Sequence, residues 1–163
     1  MSVTVYLGLG SNLGDSVVTL HSAIDELDRS SDFLLKACSS IYRSKPLDDM
    51  PQPDYYNMVI EGITDLEPEA LLDFIQGIEN NYGRERKGER WQARTLDIDI
   101  LLYGQQIIKT SRLLVPHIGI AERDFVLFPL NELAPDLMIP LLGTVAELTA
   151  QCENRGLVVT ERE

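Results

Sequence analysis

Cysteine is scarce: Cys38 and Cys152 are the only two in 163 residues. No disulfide framework or zinc-ligand spacing can be built from them. Both read as plain thiols, which suits a reducing cytoplasm. Also missing is any apolar run near the roughly 18 residues of a membrane span. The opening MSVTVYLGLGS has no basic leader and only a short apolar run, so a soluble, cytoplasmic protein is expected. Positive charge is in deficit, with 14 Lys and Arg against 26 Asp and Glu and a formal net charge of −12. That balance argues against non-specific nucleic-acid binding, which needs a basic footprint. No G-x-x-x-x-G-K-[ST] run occurs, so any nucleotide phosphates must be held by side chains and metal. Internal repeats, low-complexity tracts and interdomain linkers are absent too. The length suits one domain over 1–163 with a sizeable core, and a monomer is expected.

What is present has clear periodicity. VTVYLGLGS (Val3 to Ser11) reads as a first strand, followed by turn and cap chemistry at Asn12, Gly14 and Asp15. Val17, Leu20, Ile24 and Leu27 recur at helical spacing, which predicts a helix from Ser16 to Arg29. Phe33 to Ser44 is expected as a second strand, Lys45 to Asp54 as a loop with three prolines, and Tyr55 to Thr64 as a third strand. Pro68 opens a second helix at its favoured first-turn position. Leu71, Ile75, Ile78 and Tyr82 line its buried stripe, and Gly83 is the expected C-cap. LDIDILLYG is the next strand. The order β-α-β-β-α-β is the ferredoxin-like signature. Beyond it, QQIIKTSRLLVPH reads as an additional strand and connection, and IAERDFVLFPLNEL and TVAELTAQ as short helices.

Asp97 and Asp99 interrupt an otherwise apolar strand. Alternate strand residues share a face, roughly 6.5–7 Å apart. Two unpaired carboxylates there would repel and desolvate each other. A structural arginine, a divalent cation, or an edge strand exposing that face to solvent would each resolve the conflict. Carboxylate oxygens suit Mg²⁺, which is usually held by one or two carboxylates plus phosphate and water. Just before the pair, GRERKGERWQAR holds Arg84, Arg86, Lys87, Arg90 and Arg94, five of the fourteen cations. It reads as a solvated loop or as an anion clamp, and its position favours the clamp.

The glycine run GLGSNLG follows a strand and precedes a helix. Its spacing is one residue longer than the dinucleotide-binding fingerprint, so a turn needing small residues is the better account. Gln76 and Glu79 share a helix face that reads locally as solvated. Tyr55, Asn57, Trp91 and Phe125 read as packing or as an aromatic slot with an amide reader, and His117 as a core histidine or a phosphate contact.

Taken together, LGLGSNLGD, YRSKPL, QPDYYNMV, GRERKGERWQARTLDIDILLYG, LLVPH and AERDFVLFPL resemble the hydroxymethyl-dihydropterin pyrophosphokinase family of folate biosynthesis. RWQARTLDIDIL is similar to the family signature, and the other stretches occur in the right order. The resemblance implies an α+β fold: a ferredoxin-like βαββαβ core with an additional C-terminal strand and short helices. It implies transfer of pyrophosphate from ATP to 6-hydroxymethyl-7,8-dihydropterin, giving AMP and the pterin diphosphate. ATP is then the co-substrate, with two Mg²⁺ ions held by Asp97 and Asp99 as cofactors. The implied catalytic set is Asp97, Asp99, Arg84 and Arg94. Gln76, Glu79, Arg84, Arg86, Trp91, Arg94, Ile100, Arg112, His117 and Arg123 match ATP-side positions. Ser44, Leu47, Tyr55, Asn57, Trp91, Asp97 and Phe125 match the pterin side, with Tyr55 and Phe125 as the two faces of a ring sandwich. Gln92, Lys45 and Ile118 depart from residues common in the family. The readings set against this transferase are a non-catalytic nucleotide-binding module of the same topology, an RNA-binding domain and a D-x-D glycosyltransferase.

Overall fold

In the computed structural model, residues 2–12, 14–45, 54–82 and 96–161 are described. The chain forms strands β1 (Val3–Ser11), β2 (Phe33–Cys38), β3 (Ile41–Ser44), β4 (Tyr55–Thr64) and β5 (Asp97–Tyr103). Helices α1 (Ser16–Asp28) and α2 (Pro68–Asn80) are interleaved with them. Two short hairpins follow, β6 (Ile108–Lys109) with β7 (Leu114–Val115), and β8 (Met138–Ile139) with β9 (Gly143–Thr144). Helices α3 (Asp124–Leu133) and α4 (Val145–Gln151) and a last strand β10 (Val158–Glu161) complete the order. The main sheet runs β10-β3-β4-β1-β5, with β2 also paired to β4, and every pairing is antiparallel. The result is a mixed α/β fold on an antiparallel sheet, with four helices among the described residues.

Period-two alternation gives the sheet two different faces. Val5, Leu7 and Leu9 of β1, Met58 and Ile60 of β4, and Ile98 and Ile100 of β5 are buried with Leu20, Ala23, Ile24 and Leu27 of α1 and Leu71, Ile75 and Ile78 of α2. The opposite face buries Tyr6, Val59, Leu101 and Leu102 against Val126, Leu127 and Leu130 of α3 and Val145 of α4. Each fully buried aliphatic side chain contributes about 1.5–3 kcal/mol. A bulge between Tyr6 and Leu7 leaves Leu101 without a partner of its own. Leu102 pairs with Tyr6 and Ile100 with Leu7, and Leu101 and Leu102 both enter the second core.

Local chemistry sets most boundaries. The Asp15 carboxylate accepts from the Val18 N–H at 3.3 Å and starts α1, and Pro68 opens α2. The second helix ends at Asn80 with Asn81 as its cap, short of the expected Gly83, which lies outside the described residues. Phe33 to Ser44 is broken into two strands rather than one. Ser39 and Ser40 turn their hydroxyls inward and are nearly fully buried. Ser39 Oγ donates to the Ser40 carbonyl at 2.8 Å and accepts from the Val59 N–H at 3.0 Å. The Ser40 N–H and Oγ donate to the Glu132 carboxylate of α3 at 2.9–3.1 Å. These bonds satisfy backbone groups that the sheet ladder would otherwise pair. At the other end of β2, the Phe33 ring lies on bare backbone: a Cβ added to Gly62 would fall 2.1 Å from its Cζ.

The expected strand within Gln105 to His117 is only the β6–β7 hairpin, and the strand that extends the main sheet is β10, on β3. Both short helices form where expected. Thr144 and Glu147 close a reciprocal capping box on α4. Cys38 and Cys152 are not joined in a disulfide, and each is half-buried.

Candidate active site

On β5 the exposure alternates. Asp97 and Asp99 are exposed, while Ile98 and Ile100 are buried at 4% and 2%. Both aspartates therefore project from the second face of the sheet. Their ladder partners on β1 are Gly10 and Gly8, so neither directly paired residue carries a side chain. Gly10 pairs in turn with Asn57 of β4, and Asn57 with Tyr42 of β3. Tyr42, Asn57, Gly10 and Asp97 thus form one row across four strands. Two strand spacings put the Asn57 and Asp97 backbones about 10 Å apart. Tyr55 lies two residues before Asn57 and opposite Ser44, so it shares that face and stands exposed at the start of β4. The glycine run was expected to serve a strand-to-helix turn. Gly8 and Gly10 instead lie within β1, and only Gly14, with φ 67°, belongs to the turn.

Helix α3 overlies the same face. Tyr42 donates its hydroxyl to Glu132 at 2.7 Å, which ties the row to the helix. Phe125 is half-buried in the first turn of α3 against the second core. The Arg123 guanidinium sits over its ring, 5.8 Å from the centroid.

Among the described residues β5 is an edge strand, and its outer edge borders a cleft of about 350 Å³ between α2 and the β6–β7 segment. Asp99, Ile100, Arg112 and His117 all line it. His117 Nε2 is 3.9 Å from Asp99 Oδ2, and its backbone N–H donates to the Leu101 carbonyl at 3.1 Å. His117 Nδ1 is buried without a hydrogen-bond partner among the described residues. Arg112 is paired with Asp73 at 2.7 Å and Glu69 at 3.4 Å, one turn apart on α2. Asp73 first, then Glu69, raise the pKa of its guanidinium.

Glu79 does not lie on a solvated face. It is 4% exposed, and its Oε2 accepts the Ile98 N–H at 2.7 Å. Gln76 is half-buried one turn earlier. Leu47, Arg84, Arg86, Trp91 and Arg94 lie outside the described residues.

The donor set can be tested against a metal. Among the described residues no group of three or more His, Cys, Asp or Glu is placed to hold an ion. Two hard carboxylates facing an open, glycine-floored strip fit a cation that takes its other ligands from phosphate and water, as Mg²⁺ does.

A family model described as 7,8-dihydro-6-hydroxymethylpterin-pyrophosphokinase (HPPK) matches residues 6–135. The chain belongs to the HPPK family. It is 45% identical over 156 residues to the 2-amino-4-hydroxy-6-hydroxymethyldihydropteridine pyrophosphokinase of Haemophilus influenzae, covering 96% of this chain and 97% of that one. The enzyme of the same name from Pseudomonas aeruginosa is 44% identical over 153 residues, 94% of each chain. The HPPK fold also appears in the crystal structure of Plasmodium falciparum HPPK-DHPS with pteroate, at a TM-score of 0.73 and 14% identity. That match covers 93% of this chain and 42% of the longer one. No helix among the described residues of this HPPK chain is long and apolar enough to cross a membrane.

Gly10 and the Ser40–Glu132–Tyr42 contact escaped the sequence reading. The only signal for Gly10 was a second glycine inside a strand, where glycine weakens the ladder and often marks a close approach.

Proposed function

We propose that this chain transfers the β,γ-pyrophosphoryl group of ATP to the hydroxymethyl oxygen of 6-hydroxymethyl-7,8-dihydropterin. The substrate oxygen attacks the β-phosphorus and the bond from Pβ to the α-bridging oxygen breaks. AMP leaves, and the hydroxyl proton is released. The observation that carries the reading is the row in which Asn57 and Asp97 face the same side of the sheet with only Gly10 between them. It gives a flat heterocycle an amide to bind at one end and a carboxylate pair at the other. Family membership over residues 6–135 supplies the reaction class.

In this reading Asn57 offers one donor and one acceptor to the edge of the pterin, and Tyr55 and Phe125 cover its faces. Ser44 and Leu47 border the same pocket. Asp97 and Asp99 would hold two Mg²⁺ ions, which would supply neutralisation of phosphate charge and favour loss of the hydroxyl proton. Glu79 fixes the backbone between the two aspartates. His117 stands at the end of the cleft that takes the nucleotide, with Gln76, Ile100, Arg112 and Arg123 around it. Arg84, Arg86, Trp91 and Arg94 come from the segment before β5, where their charge and ring would close over the phosphates and exclude water. A preorganised set of cations of this kind stabilises transferring phosphoryl groups without covalent chemistry from the protein.

The strand order supports a ferredoxin-like core within one domain. β5, β1, β4 and the broken pair β2/β3 are neighbours in that order, with β10 as an addition. Product analysis tests the function. The protein is mixed with MgATP and 6-hydroxymethyl-7,8-dihydropterin, and the products are resolved by mass spectrometry. AMP and a diphosphorylated pterin are expected. ADP with a monophosphorylated pterin, or nucleotide binding without AMP release, would overturn the reading.

A further inference from the structure

Gly10 has Asn57 on one side in the sheet and Asp97 on the other. Its backbone does not demand glycine, because the positive φ values belong to other residues. Demand comes from a neighbour. A Cβ on Gly10 would stand 2.7 Å from Asn57 Nδ2, well inside the roughly 3.5–4.0 Å of a favourable contact between heavy atoms. The next nearest atoms, Asn57 Cγ and the Tyr56 carbonyl oxygen, would both be at 3.8 Å. The sheet itself therefore has room for a methyl group. The end of the Asn57 amide does not. That amide lies over the bare backbone of β1, on the side toward Asp97. The nearby Gly8 differs: the three atoms nearest to a Cβ there would all belong to the Leu101 side chain, the first at 3.4 Å.

We propose that Gly10 is a positioning residue for the heterocyclic substrate: its missing side chain sets the rotamer of Asn57 and leaves the strip between Asn57 and Asp97 open. Recognition of the pterin edge then depends on a residue that offers it no group of its own. A methyl at position 10 would turn the amide off the strip, away from the edge it reads. The fold would survive, because the obstacle is the free end of one side chain rather than backbone. This inference rests on the transferase reading above.

The test is a double-mutant cycle on the intact chain. Gly10→Ala is expected to raise KM for the pterin substrate about tenfold, the equivalent of a lost hydrogen bond, while KM for ATP stays within about twofold. In an Asn57→Ala background the same change is expected to cost nothing further. An unchanged pterin KM, equal rises in both KM values, or a full additional loss beside Asn57→Ala would overturn the proposal. Should Gly10→Ala fold poorly, the double variant Gly10→Ala/Asn57→Ser must recover the wild-type melting midpoint, and failure to do so also overturns it. Wild-type turnover is measured first, so failure of the transferase reading is seen separately. The positioning claim has its own readout in that event. The side-chain amide NMR signals of Asn57 in the ligand-free protein must move on Gly10→Ala, and signals that stay in place would refute it.

Discussion

The Glu79 carboxylate accepts the backbone N–H of Ile98 at 2.7 Å, and Ile98 is the residue between Asp97 and Asp99. A buried acid on α2 thus fixes the start of β5 where the two aspartates emerge. Glu79→Ala leaves that N–H without this acceptor, at a cost of about 1–3 kcal/mol. It should also raise the Mg²⁺ concentration needed for half-maximal turnover. Glu79→Gln keeps an acceptor oxygen and should recover most of both. Urea denaturation and a Mg²⁺ titration of the two variants check this. Equal Mg²⁺ requirements in both and in wild type would show that Glu79 does not position the pair.

Asp97→Ala and Asp99→Ala should each abolish turnover and leave the fold intact. Both side chains are exposed, so their removal opens no cavity. The thermal midpoint without metal should therefore not fall, and added Mg²⁺ with ATP should no longer raise it as in wild type. Residual wild-type activity in either variant would remove the metal assignment.

Glu147 gives a pH prediction. The Thr144 backbone N–H, then the Thr144 hydroxyl, hold its carboxyl below the ordinary carboxylate range. A depressed folded-state pKa contributes stability that is present above the unfolded-state value and lost as pH falls through the folded one. Denaturation midpoints of wild type and Glu147→Gln should differ at neutral pH, with wild type the more stable. The gap should close on acidification below the usual glutamate range. A gap independent of pH would mean that the capping charge contributes nothing.

Leu141 is 84% exposed with φ 70°, a conformation costly for a branched side chain. It occupies the third position of a turn with Pro140 second, closed by the Leu142 N–H to the Ile139 carbonyl at 2.9 Å. A turn of this kind prefers Gly or Asn there. Leu141→Asn should remove about 1 kcal/mol of strain at little loss of packing. The melting midpoint should rise by about 2–4 °C. A lower midpoint would mean that Leu141 packs where it looks free.

How far the sequence could be read follows from how local each cause is. Alternation placed β1 and β4 at their observed limits, and Asp15 and Pro68 announced both large helices, because periods and caps act within one or two turns. In β5 the alternation of Asp with Ile put both carboxylates on one face, and exposure of that face was one of three readings left open. The break at Ser39–Ser40 could not be seen, since the Glu132 carboxylate that stabilises it lies 92 residues away. Burial of Glu79 was equally hidden: on its own helix it is one more polar residue, and only the distant Ile98 N–H makes it an interior acceptor. The need for glycine at position 10 was hidden because the residue that crowds it, Asn57, is 47 positions downstream on another strand.

The bulge beside Leu101 works as a clutch between two gears. Downstream of it, consecutive leucines grip the helical layer; upstream, every second residue is an exposed aspartate. Because the extra residue absorbs the phase difference, hydrophobic anchorage can drift by a position without turning either carboxylate into the oil. Deleting Leu101 should lock the two ends together, so that any later slip in one is transmitted to the other.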